Sequence, residues 1–107
     1  MFNSSAQVKA LLDKPVARVS AWYCVDTLVT VMWRDKQTAS FELTDAEGSL
    51  CEGIAGLLVY PDGTKQATYL CLQETQEPQR RIKLRERLGQ LNEFNIFENL
   101  SEIAEIN

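Results

Sequence analysis

Residues 54–72 read IAGLLVYPDGTKQATYLCL, two apolar arms around a Pro-Asp-Gly turn. Pro61 presets its own backbone angle, Asp62 tolerates the turn conformation, and Gly63 supplies a positive φ. The spacing predicts a β-hairpin with arms at 54–60 and 65–72. No other local signal in the chain is as strong, and it commits the middle of the sequence to antiparallel pairing. The first arm is an unbroken apolar run, as a central strand requires. In the second, Ala67, Tyr69 and Cys71 alternate with Thr68, Leu70 and Leu72.

The preceding sequence has the same texture. VARVSAWYC and TLVTVMWR are rich in β-branched and aromatic residues, as strands are. In the second, Thr27, Val29, Val31 and Trp33 alternate with Leu28, Thr30 and Met32. Neither has a clean polar side, so their buried face is open. Val25-Asp26 reads as a turn or bulge, and Asp35-Lys36 as a tight turn into QTASFEL. There Ala39, Phe41 and Leu43 face one way and Thr38, Ser40 and Glu42 the other, which predicts a half-buried strand. TDAEGS reads as a loop by composition. Five strands joined by short links predict an antiparallel meander, with a small open barrel as its curled form.

Helices are expected at both ends. Ser4 or Ser5 caps a short one in which Val8, Leu11 and Leu12 share a face and which Pro15 stops. Thr75 caps a second, with Pro78 in its first turn. Leu84, Leu88 and Leu91 then form a narrow stripe, while Ile82 points away. Residues 80–86, RRIKLRE, also read as a strand, since Ile82 and Leu84 alternate with Arg81, Lys83 and Arg85, a reading that competes with the helix. In the tail, Phe97, Leu100, Ile103 and Ala104 fall at helical spacings, and Asn99-x-x-Glu102 resembles a capping box. This amphipathic tail packs on its own core or docks on a partner. The expectation is one α+β domain over residues 1–107, with one short N-terminal helix and one or two C-terminal helices.

Charge is distributed unevenly. The chain holds 11 basic and 15 acidic side chains, a net −4. Arg80, Arg81, Lys83, Arg85 and Arg87, with Glu86 the only acid among them, make residues 80–87 locally +4. The remaining six basic and fourteen acidic groups make the rest −8. On a helix, Arg80, Lys83 and Arg87 lie on one flank of the leucine stripe and Arg81 and Arg85 on the other. Long cationic side chains in such places lay their stems along core edges. The five cations are candidate binding residues for an acidic protein surface, for phosphates, or for the chain's own carboxylates.

Catalytic signals are few. The chain has no histidine, which removes the commonest general base and the commonest metal ligand. The usual serine triad and histidine-bearing zinc sites go with it. There is no phosphate-binding glycine loop, no calcium-loop spacing and no CxxC. No cofactor or metal is expected. Cys24 and Cys71 lie in apolar runs and read as buried hydrophobes, whereas Cys51 beside Glu52 reads as exposed. The N-terminus lacks the pattern of a signal peptide, and no apolar run reaches the ~18 residues of a membrane span, so a soluble cytoplasmic protein is expected.

Three functions fit this pattern. The first is a non-catalytic module acting through a protein–protein surface that includes residues 80–87 and the C-terminal tail, with a homodimer as its simplest form. The second is a small-molecule-binding domain or enzyme whose sheet carries an aromatic pocket of Trp22, Tyr23, Trp33, Tyr60 and Tyr69. The third is nucleic-acid binding through Arg80 to Arg87, which no recognition motif supports.

Overall fold

The computed structural model describes residues 5–94. Helix α1 (Ser5–Asp13) precedes five strands, β1 (Arg18–Cys24), β2 (Thr27–Trp33), β3 (Thr38–Asp45), β4 (Gly48–Val59) and β5 (Lys65–Glu74). Helix α2 (Pro78–Phe94) follows. The strands stand in the order β1-β2-β3-β4-β5, each antiparallel to its neighbours. The sheet is open: β1 and β5 are its edges. This is the expected α+β meander. The predicted helix in the tail falls on residues 95–107, outside the described residues.

Three of the four turns are closed by an aspartate accepting hydrogen bonds from backbone amides just ahead of it, the short-range bonding that makes Asp a turn residue. Asp35 Oδ1 accepts from the amides of Gln37 (2.8 Å) and Thr38 (2.9 Å). Asp45 Oδ1 accepts from Glu47 (2.8 Å), and Asp62 Oδ1 from Thr64 (3.0 Å). Gly63 has the expected positive φ, 89°. The remaining turn, Val25-Asp26, puts Val25 at φ 58°, in the left-handed region that β-branched residues avoid.

Composition misplaced one boundary. TDAEGS is not a loop: Thr44 and Asp45 end β3, Gly48 and Ser49 begin β4, and only Ala46 and Glu47 lie between. The Asp45 bond and the positive φ of Gly48 (120°) make this a tight hairpin despite its polar residues. β4 therefore begins well before Ile54. Its register shifts where Leu43 pairs with Cys51 and Thr44 with Ser49, leaving Leu50 as the extra residue. Leu50 and Cys51 are both buried as a result. Cys51 is thus not the exposed cysteine that its neighbours suggest, and burial pushes its thiol pKa up. Cys24 and Cys71 are only half-buried.

One sheet face carries the core. Val29, Val31 and Trp33 from β2, Ala39, Phe41 and Leu43 from β3, and Cys51, Ala55 and Leu57 from β4 form one cluster with Leu84 of α2. Trp22, Cys24, Tyr69, Cys71 and Leu88 pack at its margin. On the other face, buried Ile54 and buried Leu11 of α1 stand apart from that cluster. The stripe on α2 is as thin as its sequence implies: Leu84 is fully buried, Leu88 partly, and Ile82 is exposed. Such a stripe gives an amphipathic helix little apolar grip, so polar contacts must supply the rest.

Candidate functional site

The cations of residues 80–87 supply those contacts. Arg80 Nη2 lies 2.8 Å from Asp45 Oδ1, and its Nε lies 3.2 Å from Glu47. Arg80 also donates to the carbonyl of Gly48 at 3.1 Å. Lys83 Nζ bridges two hairpin turns, 2.6 Å from Asp26 Oδ2 and 3.1 Å from Asp45 Oδ2. Arg87 Nη2 lies 3.0 Å from Asp26 Oδ1. These are the three cations of one flank, and they meet the β1–β2 and β3–β4 turns. On the other flank Arg81 reaches Glu74 at 3.4 Å. Arg85 is exposed and has no ion pair among the described residues.

Ordinary burial values show how firmly this lattice is set. The Asp45 side chain is 5% exposed and that of Arg80 14%. Burial of Asp45 acts to raise its pKa, but the Glu47 amide, Arg80 and Lys83 outweigh it and hold the carboxyl below the usual range. Hydrogen bonds from Lys83 and Arg87 hold Asp26 well below that range. Lys83 is shifted upward by the same two carboxylates, Asp26 first. A cleft of about 320 Å³ lies here, lined by Asp26, Asp45, Glu47, Arg80 and Lys83 among others. Its three carboxylates outnumber its two cations, a balance that does not attract phosphate.

The five aromatic candidates do not line one cavity. Trp33 is fully buried, and Trp22 and Tyr69 pack at the core margin. Tyr69 meets Phe41 edge-on, with ring centroids 6.1 Å apart. Tyr23 is on the opposite face and 72% exposed. Tyr60 stands beside the β4–β5 turn, where its hydroxyl donates to Gln66 at 2.9 Å. Among the described residues, no cluster of His, Cys, Asp and Glu is arranged to hold a metal ion.

Two surface features escaped sequence reasoning. The first is a cleft of about 240 Å³ on the outer face, lined by Leu12, Met32, Arg34, Glu42, Glu52 and Leu72 among others. Glu42 and Glu52 are directly paired across strands there, and neither has an ion pair among the described residues. Like charges directly opposite are unfavourable. The second is β1 itself. Its outward row, Val19, Ala21 and Tyr23, is exposed, as are Val16 before it and Val25 after it. The alternation of VARVSAWYC held this signal, but no clean polar side marked which face was wet.

Comparison with known proteins adds no identity: no family model, no curated protein and no solved structure matches this chain.

Proposed function

We propose that this chain is a small non-catalytic interaction module that acts through a protein–protein surface. The observation that carries the reading is the apolar row on β1, an edge strand with Val19 59% and Tyr23 72% exposed. Edge strands in natural proteins are usually blunted by charge, proline or bulges. β1 carries one charge, Arg18 at its start, and no proline, and it pairs with β2 without a register shift. In this reading the basic segment anchors α2 to the two acidic turns, and Arg85 is its outward cation. The internal pairing of Arg80, Arg81, Lys83 and Arg87 counts against nucleic acid, which needs cations free to displace counterions.

We place the module in a reducing cytoplasm. The support is its three free thiols, together with the fact that no described helix is long and apolar enough to cross a membrane. The test is a photo-crosslinking residue in place of Tyr23, with a second at exposed Lys36 as control. Discrete adducts from position 23, to this chain or to one other protein, are the expected result. An equal smear from both positions, or no adduct, removes the reading.

A second reading, a small-molecule binder, draws on the outer cleft. Its apolar walls, and two glutamates with no ion pair among the described residues against the single cation Arg34, suit a cationic amphiphile. Thermal-shift measurements with alkylamines, on the wild type and on Glu42→Gln/Glu52→Gln, test it. A stabilisation that the double variant abolishes supports it, and none in the wild type ends it.

A further inference from the structure

We infer that the partner of β1 is a second copy of the chain, joined edge to edge about a two-fold axis beside Ala21. This deepens the reading above and rests on it.

Hydrogen-bond parity decides which backbone groups of β1 face outward. Cys24 and Thr27 flank a two-residue turn and face each other, as do Trp22 and Val29, Ser20 and Val31. A two-residue hairpin makes its flanking residues a hydrogen-bonded pair, and such pairs alternate along the ladder. The backbone N–H and C=O groups of Val19, Ala21 and Tyr23 therefore point away from β2, off the edge of the sheet. An antiparallel copy of β1 pairs these three with their counterparts when Ala21 faces Ala21 and Val19 faces Tyr23. Each facing pair exchanges two backbone hydrogen bonds.

Side chains favour the same register. The odd-numbered residues of β1, Val19, Ala21 and Tyr23, share the outer face. All three are exposed. Across the axis they meet as Val19 with Tyr23 and Ala21 with itself. A β-branched residue against an aromatic is a favoured cross-strand pair, and the small Ala21 meets itself on the axis without a clash. Charge is complementary at both ends. Arg18 of one copy faces Cys24 of the other and stands diagonal to its Asp26, and no like charges face each other. Arg18 has no ion pair among the described residues, and the Asp26 side chain, 54% exposed, is open to a further cation.

The strained turn fits the same picture. Val25 breaks the local rule that a positive-φ turn position takes Gly, Asn or Asp, and it is 72% exposed, so the isolated subunit gains no burial from it. It follows directly on β1, beside the edge that the second copy joins. The other edge is less open, because β5 carries a charge at each end, Lys65 and Glu74, against Arg18 alone on β1, and it holds Leu72 as the extra residue of a register shift.

The experiment uses the full chain. Light scattering across a concentration series gives the wild-type mass, and a short bis-methanethiosulfonate reagent then probes single-cysteine additions. Ala21→Cys is expected to yield a covalent dimer. The unaltered chain and Leu70→Cys, on the outer face of β5, are expected to yield none. Ala21→Pro removes only an outward N–H, which edge strands tolerate, and is expected to give a monomer with an unchanged circular dichroism spectrum. If that variant fails to fold, Tyr23→Lys serves the same purpose. A wild type that stays monomeric up to hundreds of micromolar overturns the inference, as does a dimer that Ala21→Cys does not link or Tyr23→Lys does not weaken. A monomer whose position 23 still labels one other protein overturns the self-pairing and leaves the interaction reading standing.

Discussion

Val25 and Gly53 are the positions where single residues most constrain this fold, in opposite ways. A β-branched residue in the left-handed region is strained by about 1–2 kcal/mol, so Val25→Asn is expected to stabilise the subunit. A gain of that order raises the Tm of a domain this size by about 4–8 °C per kcal/mol. Calorimetry on dilute protein reads this. The same substitution is expected to weaken self-association in light scattering, because it removes exposed apolar surface beside the edge that the second copy joins. At Gly53 there is no space to relax. A Cβ there would lie 2.5 Å from the Leu70 carbonyl oxygen and 2.6 Å from the Phe41 ring. Gly53→Ala is expected to lose about 1–3 kcal/mol, seen as a lower urea midpoint with an unchanged slope. Gly63 was legible because Pro-Asp-Gly announces its turn. Val25 and Gly53 were not. One violates its turn preference, and the other answers to Phe41, twelve residues away in sequence but directly across the ladder.

At the scale of elements, α2 is the informative case. The sequence placed Leu84 and Leu88 of its leucine stripe on the packed face, since helical periodicity is strictly local, while the side chain of Leu91 lies outside the described residues. It left open what the cations meet, because Asp26 and Asp45 reach them only through the folding of two distant hairpins. Their pKa directions give a pH window for the helix. Asp26 and Asp45 are depressed in the folded state, so their contribution is complete above the ordinary Asp value of about 3.9 and is lost as pH falls through the depressed values. Lys83 is raised, so its contribution is complete below about 10.4 and is lost as pH rises through the raised value. Docking of α2 is therefore expected to be strongest between these limits. Hydrogen exchange should show α2 amides losing protection before the central strands when the protein is acidified below the window. Asp45→Asn removes the negative charge shared by Arg80 and Lys83 and leaves Arg80 largely buried. A loss of about 2 kcal/mol is expected, together with early α2 exchange at neutral pH. Unchanged α2 protection in that variant would show that Leu84 and Leu88 suffice to hold the helix.

Across the whole molecule, the two helices cover unequal shares of one sheet. The meander itself was legible because every strand pairs with its neighbour in sequence, so local turn chemistry determines the topology. The assignment of faces was not, since β1 and β2 are apolar on both sides and only the placement of α1 and α2 distinguishes them. α2 closes over the face carrying the principal cluster, to which Leu84 belongs. α1 meets the other face through buried Leu11, and through Arg34, which donates to the Lys14 carbonyl at 2.8 Å just beyond the helix. Removing either helix exposes apolar sheet, but not equally. Loss of α2 uncovers the cluster and removes the three cations that hold Asp26 and Asp45. Loss of α1 uncovers Ile54 and the cleft beside it while the principal cluster stays closed. A chain beginning at Pro15 is therefore expected to keep a cooperative thermal transition at lower Tm, with its β-sheet circular dichroism intact. A chain ending at Glu77 is expected to lose that transition and bind a hydrophobic dye. A cooperative transition in the second chain, or none in the first, would reverse the ranking of the two layers and place the principal core under α1.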